Sequence, residues 1–167
     1  MKKIFLAAVF LTGFTMSYAQ EASAKTVDPS EDKDLMTWYH KDEVVNEIDP
    51  KYKAFVYLIT NLKDGRRYIG KKLTEFTKTT TKKGKKKRVK YESDWRTYWS
   101  SSDELKKDVA ELGEENFRRE IIHFCLNEGS ASYFEAKEQF LNEVLEHPDQ
   151  WYNGQIQVRV HRTHIKK

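Results

Sequence analysis

The chain has 167 residues, a mass of 19.8 kDa and one cysteine, Cys125; 38% of its side chains are hydrophobic, 34% are charged, and the net charge is +4. This suffices for one compact domain and a tail, and it excludes a large multi-layer enzyme, an internal disulfide and a cysteine-rich metal scaffold, while 9 Phe, 4 Trp and 9 Tyr exclude full disorder. Residues 20–50 carry 3 basic and 9 acidic side chains, residues 51–96 carry 16 and 4, and residues 97–167 carry 9 and 13. Positive potential is therefore concentrated in one central block, which attracts polyanions, nucleic acid first among them.

At the N-terminus, Lys2 and Lys3 precede an apolar stretch from Ile4 to Met16, and Ser17-Tyr18-Ala19 follows. This is the order of a secretory signal peptide over residues 1–19, with a rival cleavage point after Ala24. The apolar run is short for a membrane span, so no stable membrane anchor is expected after cleavage. Residues 20–37 read as an acidic flexible linker and 38–167 as the domain. A cleaved leader implies a secreted or periplasmic protein; translation from Met36 implies a cytoplasmic one.

The run Ala54-Phe55-Val56-Tyr57-Leu58-Ile59-Thr60 predicts a buried strand, Asp64-Gly65 a tight turn, and Arg66 to Lys72 the returning strand. Residues 73–92 are polar and basic and read as a protruding second hairpin or a loop. Ser93-Asp94 caps a turn or short helix. Ser102-Asp103 opens a helix with Leu105, Val109 and Leu112 on one face, which Gly113 ends. Phe117 to Leu126 is a third strand. Ser130 or Ser132 caps a second helix running to about Glu146, with Tyr133, Phe134, Phe140, Leu141, Val144 and Leu145 at helical spacing. Ile156 to Val160 alternates like a last strand. The order gives a small α+β domain, a central antiparallel β-sheet flanked by helices, with a basic hairpin or loop insertion.

Tyr57 and Tyr68 lie eleven residues apart on the two strands of the first hairpin, where both phenols can reach one face. Lys71 and Lys72 follow, and an ammonium beside a phenol favours phenolate, which would suit a general base. Paired cross-strand tyrosines are equally a packing device.

Phe55-Val56-Tyr57 with Tyr68-Ile69-Gly70 resembles the two tripeptides of the GIY-YIG nuclease family, although Phe55 and Val56 depart from the first. The resemblance runs over about residues 38–165, through Ser93-Asp94-Trp95-Arg96, Tyr133-Phe134-Glu135-Ala136-Lys137 and Trp151-Tyr152-Asn153-Gly154. It is strongest to the short GIY-YIG proteins of tailed phages, some of them homing-type endonucleases. It implies hydrolysis of DNA phosphodiesters with one divalent metal, Mg2+ (or Mn2+), held by a single helical glutamate.

By the same resemblance, Tyr57 activates the attacking water, Tyr68 hydrogen-bonds in the site, and Gly70 permits close approach. Arg96 neutralises the developing phosphate charge, with Lys72 supplying part of it or lowering the tyrosine pKa. Glu135 is the metal ligand, Glu138 its rival, and Asn153 orients the site from behind. Ser132 offers Glu135 a simpler role as a capping-box partner.

Residues 78–90 hold eight Lys or Arg and no acid. Lys82, Lys83, Lys85, Lys86, Lys87, Arg88 and Lys90 are thus the expected grip on DNA. Two other readings are a catalytically weak or inactive DNA-binding protein on the same scaffold, and an exported basic polyanion-binding protein. Strict long-site specificity is not expected unless the insertion provides it. Oligomeric state has no signature.

Overall fold

The computed structural model describes residues 37–82 and 85–165. The leader, most of the linker, Met36 and Lys83 lie outside the described residues, as does the side chain of Lys82. Seven strands are present among the described residues: β1 (Trp38–His40), β2 (Glu43–Val44), β3 (Ala54–Asn61), β4 (Arg67–Leu73), β5 (Glu75–Lys82), β6 (Lys85–Glu92) and β7 (Phe117–Cys125). Two α-helices, α1 (Asp103–Leu112) and α2 (Glu128–Leu141), complete the frame. Five strands form one sheet in the order β2-β1-β7-β3-β4, while β5 and β6 pair only with each other. The expected α+β class holds, with one difference: β1 runs parallel to β7, so the sheet is mixed.

The β3–β4 hairpin forms as its sequence predicts. Ala54 to Thr60 pair with Leu73 to Arg67, and Gly65 takes the left-handed φ of 79° that its turn requires. Alternation along β3 sends Phe55, Tyr57 and Ile59 to one face, where Leu105 and Val109 of α1 join Trp38, Trp95 and Ile121. Ala54, Val56 and Ile69 face the other way, against Ala131 of α2, Cys125, Val144 and Trp151. Each fully buried large side chain contributes about 1.5–3 kcal/mol. The β3–β7 register shifts between Val56 and Tyr57, so a bulge adjoins the first motif tyrosine.

Helix α1 follows its caps: Ser102 Oγ accepts from the Leu105 N–H at 3.3 Å, and the Gly113 N–H closes the last turn on Val109 O. Leu112 is exposed rather than part of the buried stripe.

Helix α2 departs from expectation. Its cap is Asn127, whose Oδ1 accepts from the Ser130 N–H at 2.8 Å, and it ends at Leu141. Ser132 bonds back to Glu128 O and caps nothing, so no capping box engages Glu135. The buried face is Ser130, Ala131, Ala136 and Gln139. Small side chains let the helix lie close to the sheet, which leaves Tyr133, Phe140, Leu141 and Leu145 exposed.

No strand forms at 156–160, because the β4 edge is already occupied. Residue Trp151 bridges Arg67 in parallel, the Arg67 N–H donates to Gln150 O at 2.9 Å, and the Tyr152 N–H donates to Arg67 O at 2.8 Å.

The basic segment is a regular ribbon of eight residues on each strand, from Glu75↔Glu92 to Lys82↔Lys85. Its two ends meet at a neck. The Ser93 N–H donates to Thr74 O at 2.9 Å, the Thr74 N–H donates to Lys53 O at 3.1 Å, and Thr74 Oγ1 donates to Tyr52 O at 2.9 Å.

Candidate active site

Tyr57 and Gly70 are direct cross-strand partners, so both face the same side of the sheet. A Cβ placed on Gly70 would lie 2.5 Å from Tyr57 Oη and 2.7 Å from the Tyr68 ring. The glycine is required by this contact: the Tyr57 hydroxyl lies where any side chain would begin. Tyr57 packs against Tyr68 and Tyr98 with ring centroids 6.1 Å away in each case. Burial, then the neighbouring phenols of Tyr68 and Tyr98, hold the Tyr57 pKa well above the ordinary phenol value. This reverses the expected lowering by lysine, and Tyr57 is a neutral hydroxyl at physiological pH. Burial also raises the pKa of Tyr68, whose hydroxyl is 2.9 Å from Ser101 Oγ.

β4 is the edge strand, and a cleft of about 470 Å3 wraps around its edge. Tyr68 enters from the α1 face. Lys71, one residue out of phase, enters from the α2 face and meets Glu135, Nζ to Oε2, at 2.9 Å. Glu135 lies at the middle of α2, and its side chain is 14% exposed. Asn153 replaces a strand at the edge: its Oδ1 accepts from the Ile69 N–H at 3.0 Å and its Nδ2 donates to Ile69 O at 2.8 Å. Gln139, one helical turn beyond Glu135, donates to the same carbonyl at 3.0 Å. The backbone on both sides of Ile69 is thereby fixed next to Gly70.

Tyr68, Glu135 and Asn153 therefore line one cleft, with Tyr57 and Gly70 immediately behind Tyr68. Three other expected residues stand elsewhere. The carboxylate of Glu138 is 2.8 Å from His123 Nε2 and is not part of the cleft lining. Arg96 lies on the Trp95 ring at 4.4 Å, with Glu92 and the Asn46 carbonyl as partners. The turn at residues 95–97 carries it to the surface opposite the 46–48 segment. Lys72 pairs with Asp94 at 2.6 Å and lies 3.6 Å from the centre of the Tyr98 ring. It approaches the tyrosine cluster through Tyr98 rather than through the cleft.

Sequence reasoning puts Lys72 rather than Lys71 at the site, and it gives no role to Gln139, Ser101 or Arg119. The i, i+4 spacing of Glu135 and Gln139 was the available signal for Gln139. Arg119 is buried between Trp38 and Trp99, 4.7 Å from each ring, and donates to Arg96 O and Tyr98 O at 3.1 and 3.2 Å. Burial lowers its pKa to about 10. It braces the turn that sets Tyr98 against Tyr57.

The donor set fits a hard divalent cation. One carboxylate, four hydroxyls and amide oxygens border the cleft, and among the described residues no cluster of three or more His, Cys, Asp or Glu forms a closed cage. A water-rich ion held by a single carboxylate suits such a site; a thiolate- or imidazole-seeking metal does not.

Residues 38–156 match the family model described as "Putative endonuclease segE, GIY-YIG domain". No curated protein and no solved structure matches the chain.

Proposed function

The chain belongs to the GIY-YIG endonuclease-domain family represented by segE, and from that premise we propose that it hydrolyses DNA phosphodiester bonds with one divalent metal, magnesium by the chemistry of its donors. The observation carrying this reading is the convergence of Tyr68, Glu135 and Asn153 on the cleft beside the Tyr57–Gly70 contact. When bound, the metal supplies Lewis-acid stabilisation of charge on the phosphate.

Glu135 is the residue to hold it. The Lys71 ammonium keeps that carboxylate in place and brings a positive charge to where the phosphate docks. Gly70 makes room for the Tyr57 hydroxyl beside the cleft rather than for the substrate itself. Tyr57, protonated and in contact with two further phenols, acts as a hydrogen-bonding hydroxyl and not as a standing phenolate: it accepts the water's proton as it passes its own through the Tyr68 hydroxyl to water in the cleft. Tyr68 orients the phosphate through its hydroxyl. Asn153 holds the β4 edge, and the ribbon lysines grip the DNA backbone.

The proposal includes placement beside the short tailed-phage members, on the ordered motifs, and export with leader cleavage after Ala19. The N-terminal mass of protein recovered from outside the cytoplasm tests export; an intact Met1 there rejects cleavage.

The functional test is nicking of supercoiled plasmid by the full chain, with magnesium and with chelator. Activity is expected with the metal alone, with a loss of three decades or more in Glu135→Gln, since several kcal/mol rest on the ion. A loss of about 10²–10⁴-fold is expected in Tyr57→Phe. A second reading, a weak or inactive DNA-binding scaffold, is favoured by Arg96 lying outside the cleft. It stands if the wild type cuts nothing yet binds duplex with a steep salt dependence. Preference for anionic lipid over DNA would instead support the polyanion-binding reading.

A further inference from the structure

The β5–β6 ribbon is more than a cluster of positive charge, because its two faces differ. Pairing sets Thr77 opposite Lys90, Thr79 opposite Arg88 and Thr81 opposite Lys86, all on one face. The other face carries Phe76 stacked on Tyr91 at 5.9 Å, with Lys78 lying over both rings. The two acids of the ribbon, Glu75 and Glu92, sit opposite each other at its root. Glu75 is engaged there by Lys53 and Lys90, and Glu92 by Arg96. The distal part is wholly cationic.

Arg88 is the ribbon's one guanidinium. It is exposed, lies midway along the threonine face, and makes no ion pair among the described residues. An eight-residue ribbon extends about 26 Å with strands about 4.8 Å apart, which fits a duplex major groove about 12 Å wide. The ribbon starts two residues after β4 ends, so its root is within about 16 Å of Gly70. DNA lying along it therefore reaches the cleft within a few base pairs.

Resting on the reading of DNA as the substrate, we infer that the threonine face of this ribbon enters the major groove of duplex DNA, where Arg88 reads a guanine. The fork of an arginine matches O6 and N7 of guanine, and the flanking threonine methyls suit thymine C5-methyl groups. Lys86 and Lys90, on either side of Arg88 on the same face, reach the phosphate walls of the groove. The substrate is then double-stranded, and cleavage carries a short guanine-centred preference despite the absence of a separate recognition domain.

The test is selection of randomised duplexes by full-length Glu135→Gln protein, which binds without cutting. A shared guanine is expected, and 7-deazaguanine there, which removes only the N7 acceptor, should weaken binding about tenfold. Arg88→Gln should lose the guanine preference and move it toward adenine. Lys87→Gln, the same charge loss on the opposite face, should lower affinity for all sequences and reduce the salt slope by about 1, with the preference intact. No enrichment, an unchanged preference in Arg88→Gln, or equal binding to single strands would overturn the inference. A wild type that selects guanine but cuts nothing would reject the hydrolytic reading and leave this one standing. One that cuts without base preference would do the reverse.

Discussion

The cleft at the β4 edge and the β5–β6 ribbon are neighbours in sequence and opposites in construction. In the cleft every functional group is braced by another: Tyr57 fills the space over Gly70, Lys71 holds Glu135, and Asn153 and Gln139 share the Ile69 carbonyl. In the ribbon, side chains reach into water and the strands are held by their own pairing. The contrast teaches that chemistry demanding fixed geometry is built from buried, mutually dependent groups. A long-range electrostatic grip needs only charge held at a distance from the body. Substitutions in the first region should change stability and turnover together, and those in the second should change DNA binding, in its salt dependence and at Arg88 in its base preference, without changing stability.

The most severe break of that contrast is Gly70→Ala. The new methyl meets Tyr57 Oη at 2.5 Å, so the variant should lose about 1–3 kcal/mol of stability and most of its cleavage. Urea unfolding and plasmid nicking measure the two. Asn153→Ala comes next. It strips the partner from the Ile69 N–H and should cost about 1–3 kcal/mol with a smaller fall in kcat; an unchanged urea midpoint would show that water replaces the amide at no cost.

Replacing Lys85, Lys86 and Lys87 together by alanine should leave stability within about 0.5 kcal/mol of wild type and lower the slope of log affinity against log salt by up to about 2–3. A large drop in thermal midpoint would show that the ribbon is part of the folded core after all.

The smallest effect is alkaline. Tyr57 has a folded-state pKa above its unfolded value near 10, so its protonated form favours the native state. That contribution is complete below pH 10 and fades as pH rises through the folded value. The stability difference between wild type and Tyr57→Phe should therefore be flat from pH 7 to 9 and shift against wild type above 10.

Much of the body was legible because local signals agreed with tertiary demands. The β-branched and aromatic run made β3, Gly65 made the turn, and Ser102 and Gly113 bounded α1. The place of Glu135 in the cleft was legible from its motif. What escaped was decided by packing between distant segments. Lys71 and Lys72 are adjacent and alternate across the sheet, so only the position of α2 tells which meets the glutamate. The second helix hides its alanines and a glutamine rather than its largest apolar side chains, because the closeness of the sheet outweighs hydrophobicity at that interface. Arg96 was placed by spacing along the chain, but the Asn46 carbonyl and the Trp95 ring hold it on the surface. The β1–β2 turn carries no glycine, yet Lys41 and Asp42 both take positive φ, which composition alone does not announce.

The neck at Thr74 and Ser93 has an evolutionary consequence. Because the chain leaves and re-enters the body at two backbone positions already tied to each other, whatever lies between them behaves as a cassette. Shortening, lengthening or exchanging it in register requires no repacking beneath. A body of this family can take on a new plug-in arm while the cleft at the β4 edge stays untouched.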